Sequence, residues 1–259
     1  MSAALRMVRL YAIAFIASGC TLVIELVAGR LLAPYIGVSL YTWTSVIGVI
    51  LAGISIGNFL GGRLADRYPG PSVLGLTLVA ASITSFVILG LVSVLPQYTL
   101  SLPLVPRILL LTAVIFFVPS CILGMVTPLV VKQALTDLGH AGGLVGRVYA
   151  VSTAGSLLGV YLTGFVLIAQ FGTRLIVVMV AAVLFLLGVL FGNLLYGRRL
   201  AAVLFLAAVG FSHLSAEVAG AGGQLATQAR ATVTAEDGRA ERPPAAATLA
   251  TRRRAQLVP

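Results

Sequence analysis

Glu25 is the only acidic residue set deep inside a long apolar run of this sequence. The chemistry open to a carboxylate there is narrow. An ionised acid near the centre of a lipid-embedded helix costs roughly 2.5–3.5 kcal/mol, so it needs a cationic partner, a water-filled cavity or a proton of its own. Arg30 stands near the boundary of the same run, and Tyr35, Tyr41 and Trp43 cluster around a turn marked by Pro34 and Gly37. Two readings stand side by side. In one, Glu25, Arg30, Tyr35 and Tyr41 form a binding site for a small organic cation or a proton, the rings offering their faces to an ammonium group. In the other, Glu25 is a structural partner for an Arg, Tyr or Ser of a neighbouring helix, and the aromatic residues form an interfacial belt.

A second group is Gly62-Arg63-Leu64-Ala65-Asp66-Arg67, in a turn between two apolar runs. Asp66 can cap a helix start or pair with the nearby arginines, locking one helix end against another. Asp66 and Arg67 are thus either a conformational latch or a topology anchor. A third pattern belongs to packing. Gly53, Gly57 and Gly61 recur every four residues, as do Gly155, Gly159 and Thr163, so each set lines one helix face. Small residues at that spacing let two membrane helices approach closely, as a static contact or a gliding one.

No metal or cofactor is expected. Cys20 and Cys121 both fall within apolar runs, and the two histidines, His140 and His213, lie far from Cys20 along the chain. That is too few ligands for a zinc site or a disulfide framework. No carboxylate constellation suits proton abstraction from an amine, so no catalytic residue is assigned.

The elements that must hold these residues are helices in lipid. The 259 residues are 59% hydrophobic and 9% charged, with a mean hydropathy of +1.09; a soluble domain carries about a quarter charged residues. Apolar runs of membrane-crossing length recur without strand-like alternation, so the fold is all-α, a polytopic membrane helix bundle. The net charge of +10 does not imply nucleic acid, because the basic residues sit in short loops and in the polar tail and no base-reading motif accompanies them. The apolar run continues past Cys20 through Val27, which argues for a retained first helix over a cleaved signal peptide.

Helices are predicted at about 10–28, 41–60, 73–95, 108–130, 147–168 and 175–195, with a weaker seventh at about 200–219. Residues 1–219 would form the bundle, of six to seven transmembrane helices, and residues 220–259 a disordered basic tail. The abrupt change in composition at Gly220 also raises the expectation of a truncated or frame-shifted gene. Arg6, Arg9, Arg63, Arg67, Lys132, Arg147, Arg198 and Arg199 fall on one side of this topology, and Arg30, Arg107 and Arg174 on the other. The bias predicts a cytoplasmic N-terminus in the cell's inner (plasma) membrane. The glycine faces of the second and fifth helices, and prolines near the ends of the first and fourth (Pro34, Pro128), suggest a three-plus-three internal duplication of the kind transporters carry.

Gly62–Arg67 resembles the G-x-x-x-D-R loop signature of the major facilitator superfamily, with Pro69-Gly70-Pro71 in place of its basic continuation. A closer resemblance runs through ELVAGRLLAPY (25–35), SLYTWTSVIG (39–48), Gly57–Arg67, GMVTP (124–128) and GRVYAVSTAG (146–155) with Thr163-Gly164-Phe165. These strings are similar to the membrane portion of fused spermidine-synthase-like proteins, a facilitator-type bundle joined to an aminopropyltransferase domain. The resemblance covers about residues 8–195 and implies a polyamine-linked role. The residues after Gly220 show no strand pattern and few acids, so this chain by itself is not expected to transfer an aminopropyl group. The expected function is a membrane module that anchors, regulates or feeds polyamine metabolism, with an aminopropyltransferase supplied on a separate subunit. The alternative is a facilitator-like half-transporter for a polyamine or other small organic cation, acting as a homodimer. The expected surroundings are the lipid bilayer, and nucleic acid is not a partner.

Overall fold

The computed structural model describes residues 3–135 and 141–191. These residues form α1 (Ala3–Ile36), α2 (Leu40–Arg67), α3 (Pro71–Tyr98), α4 (Leu104–Gly124), α5 (Val126–Ala134), α6 (Ala141–Tyr161), a π-helical segment (Leu162–Leu167), α7 (Ile168–Gln170) and α8 (Thr173–Phe191). No strand occurs among the described residues. Taking α4 with α5, and α6 with the π segment and α7, six helices are long and apolar enough to cross a membrane. The candidate seventh helix at 200–219 and the tail at 220–259 lie outside the described residues.

Proline and glycine set the helix ends, though not always where the sequence suggests. Pro34 lies inside the last turn of α1, where a missing N–H forfeits one hydrogen bond. The chain turns at Gly37, whose φ of 75° favours glycine. Ser39 then caps α2, its hydroxyl accepting from the Thr42 N–H at 3.2 Å, while the Thr42 hydroxyl donates to the Gly37 carbonyl at 3.2 Å. The loop expected from Pro96 to Pro106 shrinks to the few residues after Tyr98. Helix α3 runs through Pro96, and Pro106 sits in the first turn of α4, where a backbone N–H has no intrahelical partner. The fourth span, expected to be continuous, breaks at Met125 between α4 and α5. Pro128 is the physical cause: its ring excludes the hydrogen bond to the Gly124 carbonyl four residues back.

The helices associate in three pairs: α2 with α4, α1 with α6, and α3 with α8. The first two are parallel and glycine-mediated. A Cβ on Gly57 would overlap the Cys121 carbonyl oxygen, and one on Gly61 would lie 2.6 Å from Met125 Cα. In the other pair, a Cβ on Gly155 would overlap the Phe15 carbonyl oxygen, and one on Gly159 would lie 2.6 Å from the Gly19 carbonyl oxygen. Lipid supplies no hydrophobic drive for helices to associate, so such backbone approach, with its dispersion contacts, is what holds the pairs together. The third pair is antiparallel and is tied by the buried Ser82 hydroxyl, which donates to the Ala181 carbonyl at 2.7 Å.

This pairing is invariant under exchange of the first three spans with the last three. Matching Gly57 to Gly155 and Cys121 to Phe15 also matches Gly61 to Gly159 and Met125 to Gly19. The expected three-plus-three arrangement is therefore present in the packing itself.

Candidate functional site

Between α1, α2, the α4–α5 break and α6 lies a cavity of about 350 Å³. Helix α1 contributes Ala17, Ser18, Thr21 and Leu22, and α2 contributes Ile54 and Asn58. The break supplies Leu123, Gly124, Val126 and Thr127, and α6 supplies Tyr149, Ser152, Thr153 and Ser156. These are the four helices of the two glycine pairs. The match between halves carries over to the lining: Thr21 corresponds to Thr127, Ser18 to Gly124, Ile54 to Ser152 and Asn58 to Ser156. The cavity thus sits where the two halves meet, near the middle of the spans.

Part of its polar surface is already committed. The Thr21 hydroxyl donates to the Ala17 carbonyl at 2.9 Å and the Ser156 hydroxyl to the Ser18 carbonyl at 3.2 Å. The rest is unused. Ser152 is buried, and its Oγ has no hydrogen-bond partner among the described residues. An orphaned buried hydroxyl costs about 1–3 kcal/mol unless something meets it. The Gly124 carbonyl adds a backbone acceptor, because Pro128 brings no N–H to it. Asn58 offers a carboxamide with both donors and acceptors. No Asp, Glu, His or Lys lines the cavity among the described residues, and its hydroxyl, carboxamide and phenol groups equip it to hold a hydrogen-bonding solute.

Glu25 is not part of this lining. It follows Thr21 and Leu22 on the same stripe of α1, one helical turn further on. Next on that stripe is Gly29, where an added Cβ would come within 3.2 Å of the Trp43 ring. Position 25 on α1 therefore falls between the cavity and the Trp43 indole, which packs on Gly29. Among the described residues Glu25 makes no ion pair; the one ion pair there joins Lys132 and Asp66.

The four residues expected to form the cation site do not gather. Arg30 is exposed and lies about 140° around α1 from Glu25, while Tyr35 is about 15 Å further along the axis. Tyr41, 62% exposed, is at the start of α2. The latch residues also part company. Helix α2 runs through Arg67, so Asp66 lies in its last turn and not in a turn between runs. It pairs with Lys132 of the neighbouring α5, Nζ to Oδ1 at 2.6 Å, and not with an arginine of its own helix end. The Arg67 guanidinium lies over the Tyr68 ring at 5.8 Å, and that of Arg63 over Phe59 at 4.2 Å. The tight approach of Gly61 to Met125 is what brings the end of α5 within reach of Asp66.

Sequence reasoning singled out Glu25 and missed the cavity one turn away. The available signal was the crowding of small hydroxyl residues at midspan, in VSTAGS (151–156) and in Thr127-Pro128. Among the described residues no group of three or more His, Cys, Asp or Glu side chains could hold a metal ion. No family model, no curated protein and no solved structure matches the chain.

Proposed function

We propose that this chain is a membrane module that binds a small organic amine in the midspan cavity and feeds it to polyamine metabolism. The observation that carries the proposal is the cavity between the matched helices, with an orphaned hydroxyl inside it and a carboxylate one turn away. Hydroxyl, carboxamide and carbonyl oxygens accept hydrogen bonds from an ammonium group, and the acid supplies charge from a short distance. At an effective dielectric of about 20 and a separation of about 8 Å, that attraction is worth ~2 kcal/mol. The polyamine link rests on the strings between Glu25 and Phe165 that resemble the membrane portion of spermidine-synthase-like proteins. A partner aminopropyltransferase subunit would receive or supply the amine. The basic residues at the Arg6, Arg67 and Lys132 end of the bundle support a cytoplasmic N-terminus in a plasma membrane.

The test is equilibrium binding of putrescine to the purified full-length chain in detergent. The wild type should bind, and Glu25→Gln should bind at least about tenfold more weakly, equivalent to ~1.4 kcal/mol. Unchanged binding by the variant would remove the acid from the account.

A second reading, a facilitator-like half-transporter acting as a homodimer, is favoured by one observation. Helices α2 and α6, which flank the cavity, are the two least buried of the six spans. Their apolar side chains, among them Leu51, Phe59, Leu157 and Leu158, are open to lipid or to a second copy. Putrescine flux through proteoliposomes containing a cross-linkable dimer supports this reading; binding without flux supports the feeding module.

A further inference from the structure

Trp43 is the sole tryptophan of the chain, and its ring lies on bare backbone of the neighbouring helix. A Cβ added to Gly29 of α1 would come 3.2, 3.3 and 3.5 Å from Cη2, Cζ3 and Cζ2 of the indole. An aromatic belt at a membrane interface needs no such seat on a second helix. Nor is the ring enclosed, since Trp43 remains 36% exposed.

Helical phase places this contact in line with the midspan cavity. Ser18 and Gly29 are eleven residues apart on α1, and Trp43 and Ile54 are eleven apart on α2. That spacing returns a helix to within about 20° of the same face, about 16 Å further along. Ser18 and Ile54 both line the cavity. The indole on Gly29 therefore bridges the same two helix faces, above the cavity and beside the α1–α2 turn.

The two halves of the bundle differ at this level. Each half has three of the six spans, an odd number, so matched helices cross the membrane in opposite directions. The match that pairs Ser18 with Gly124 and Ile54 with Ser152 also pairs Gly29 with Leu135 and Trp43 with Ala141. Those two residues stand at the other end of the bundle, where α5 ends and α6 begins. A methyl group thus occupies the position matched to the indole. Inverted halves expose a midspan site to one face at a time by rocking against each other, and here an aromatic cover is present on one face and missing from its match.

We propose that Trp43 is a gate: its indole, seated on Gly29, closes the midspan cavity to the face of the α1–α2 turn and leaves it open to the opposite face. The gate opens when α1 and α2 part at the Gly37 turn and the ring leaves its glycine. The inference rests on the midspan cavity as a solute site and not on the solute being an amine, so its test uses no amine and its failure is separate from a failure to bind putrescine.

The experiment is one-sided thiol labelling in sealed membrane vesicles prepared in both orientations. The full-length chain carries Cys20→Ala, Cys121→Ala and Asn58→Cys, and a charged, membrane-impermeant thiol reagent is added outside. Val38→Cys, 75% exposed in the α1–α2 turn, and Gly70→Cys, with nothing within 4 Å of an added Cβ, show in the same background which face is outward. Position 58 should label readily from the Gly70 face and slowly from the Val38 face. Trp43→Ala should raise the rate from the Val38 face by about tenfold, the worth of the lost aromatic packing, and leave the rate from the Gly70 face unchanged. Trp43→Phe should restore most of the protection. Equal labelling from both faces with Trp43 in place, or a Trp43→Ala rate that is unchanged or raised equally from both faces, would overturn the proposal. If Trp43→Ala does not fold, Gly29→Leu displaces the ring while keeping it as a probe. Iodide quenching of the Trp43 fluorescence and labelling of position 58 from the Val38 face should then rise together; a rise in neither, or in one alone, would overturn the gate.

Discussion

Gly57 against Cys121 and Gly155 against Phe15 are the same backbone contact made twice, once in each half of the bundle. The side chains around those contacts are not repeated. Where the first half has Glu25, the matching position in the second is Val131; where it has Asp66 and Arg67, the second has Gly164 and Phe165. Lys132, which completes the ion pair with Asp66, corresponds to Leu26. Helix α1 is continuous, whereas its counterpart breaks at Met125. The packing is therefore duplicated and the chemistry is not. A contact set by glycine and backbone alone tolerates almost any outward side chain, so charge could be placed on one half without disturbing the scaffold. The midspan cavity is intermediate, with threonine at matching positions and different partners for Ser18 and Ile54.

The comparison is most easily broken at the glycines. Gly57→Leu and Gly155→Leu should each drive a side chain into carbonyl backbone that has no rotamer to escape to, costing more than the usual ~1–3 kcal/mol of overpacking. Both should lose the monodisperse peak on size exclusion to a similar extent. Gly48→Leu and Gly62→Leu, with nothing within 4 Å of an added Cβ, should behave as wild type. Unequal damage by the two central variants would mean the halves do not share one packing mode.

A smaller effect is expected in the cavity. Thr21→Val and Thr127→Val remove matching hydroxyls and should each weaken putrescine binding about three- to tenfold, the worth of one hydrogen bond. Loss from one side only, measured by the same titration, would show that the ligand sits off the junction of the halves. Ser82→Ala, in the antiparallel pair outside the cavity, should lower stability by ~1 kcal/mol in thermal unfolding and leave binding unchanged. Least of all is expected from Asp66→Asn. Its partner and it are 41% and 73% exposed, so the pair should contribute under ~1 kcal/mol, and that only at low salt.

Much of the scaffold was readable beforehand. Long apolar runs permit only helices in lipid, and glycines four residues apart mark a face of close approach, so the spans and both glycine faces follow from residue type and spacing, whereas the helix each face meets does not. Helix ends were harder, because proline acts differently by position: Pro34 and Pro106 are absorbed in terminal turns, whereas Pro128 breaks a span. The cavity was hidden for a related reason. Ser18, Thr21, Ser152 and Ser156 are small residues that read as helix-packing contacts, and only the tertiary arrangement shows which hydroxyls are left without partners. The choice of Lys132 over a neighbouring arginine for Asp66 likewise depends on which helix end the glycines bring alongside.

The central claim is that a small amine occupies the midspan cavity, and thiol protection tests it most directly. Asn58→Cys is introduced into a chain carrying Cys20→Ala and Cys121→Ala, and modification by a small water-soluble thiol reagent is followed with and without putrescine. The account predicts that putrescine slows labelling at position 58 and leaves labelling of Gly48→Cys, on the same helix but away from the cavity, unaffected. Identical labelling of Asn58→Cys with and without putrescine, in protein shown to bind it, would place the ligand elsewhere and contradict the account.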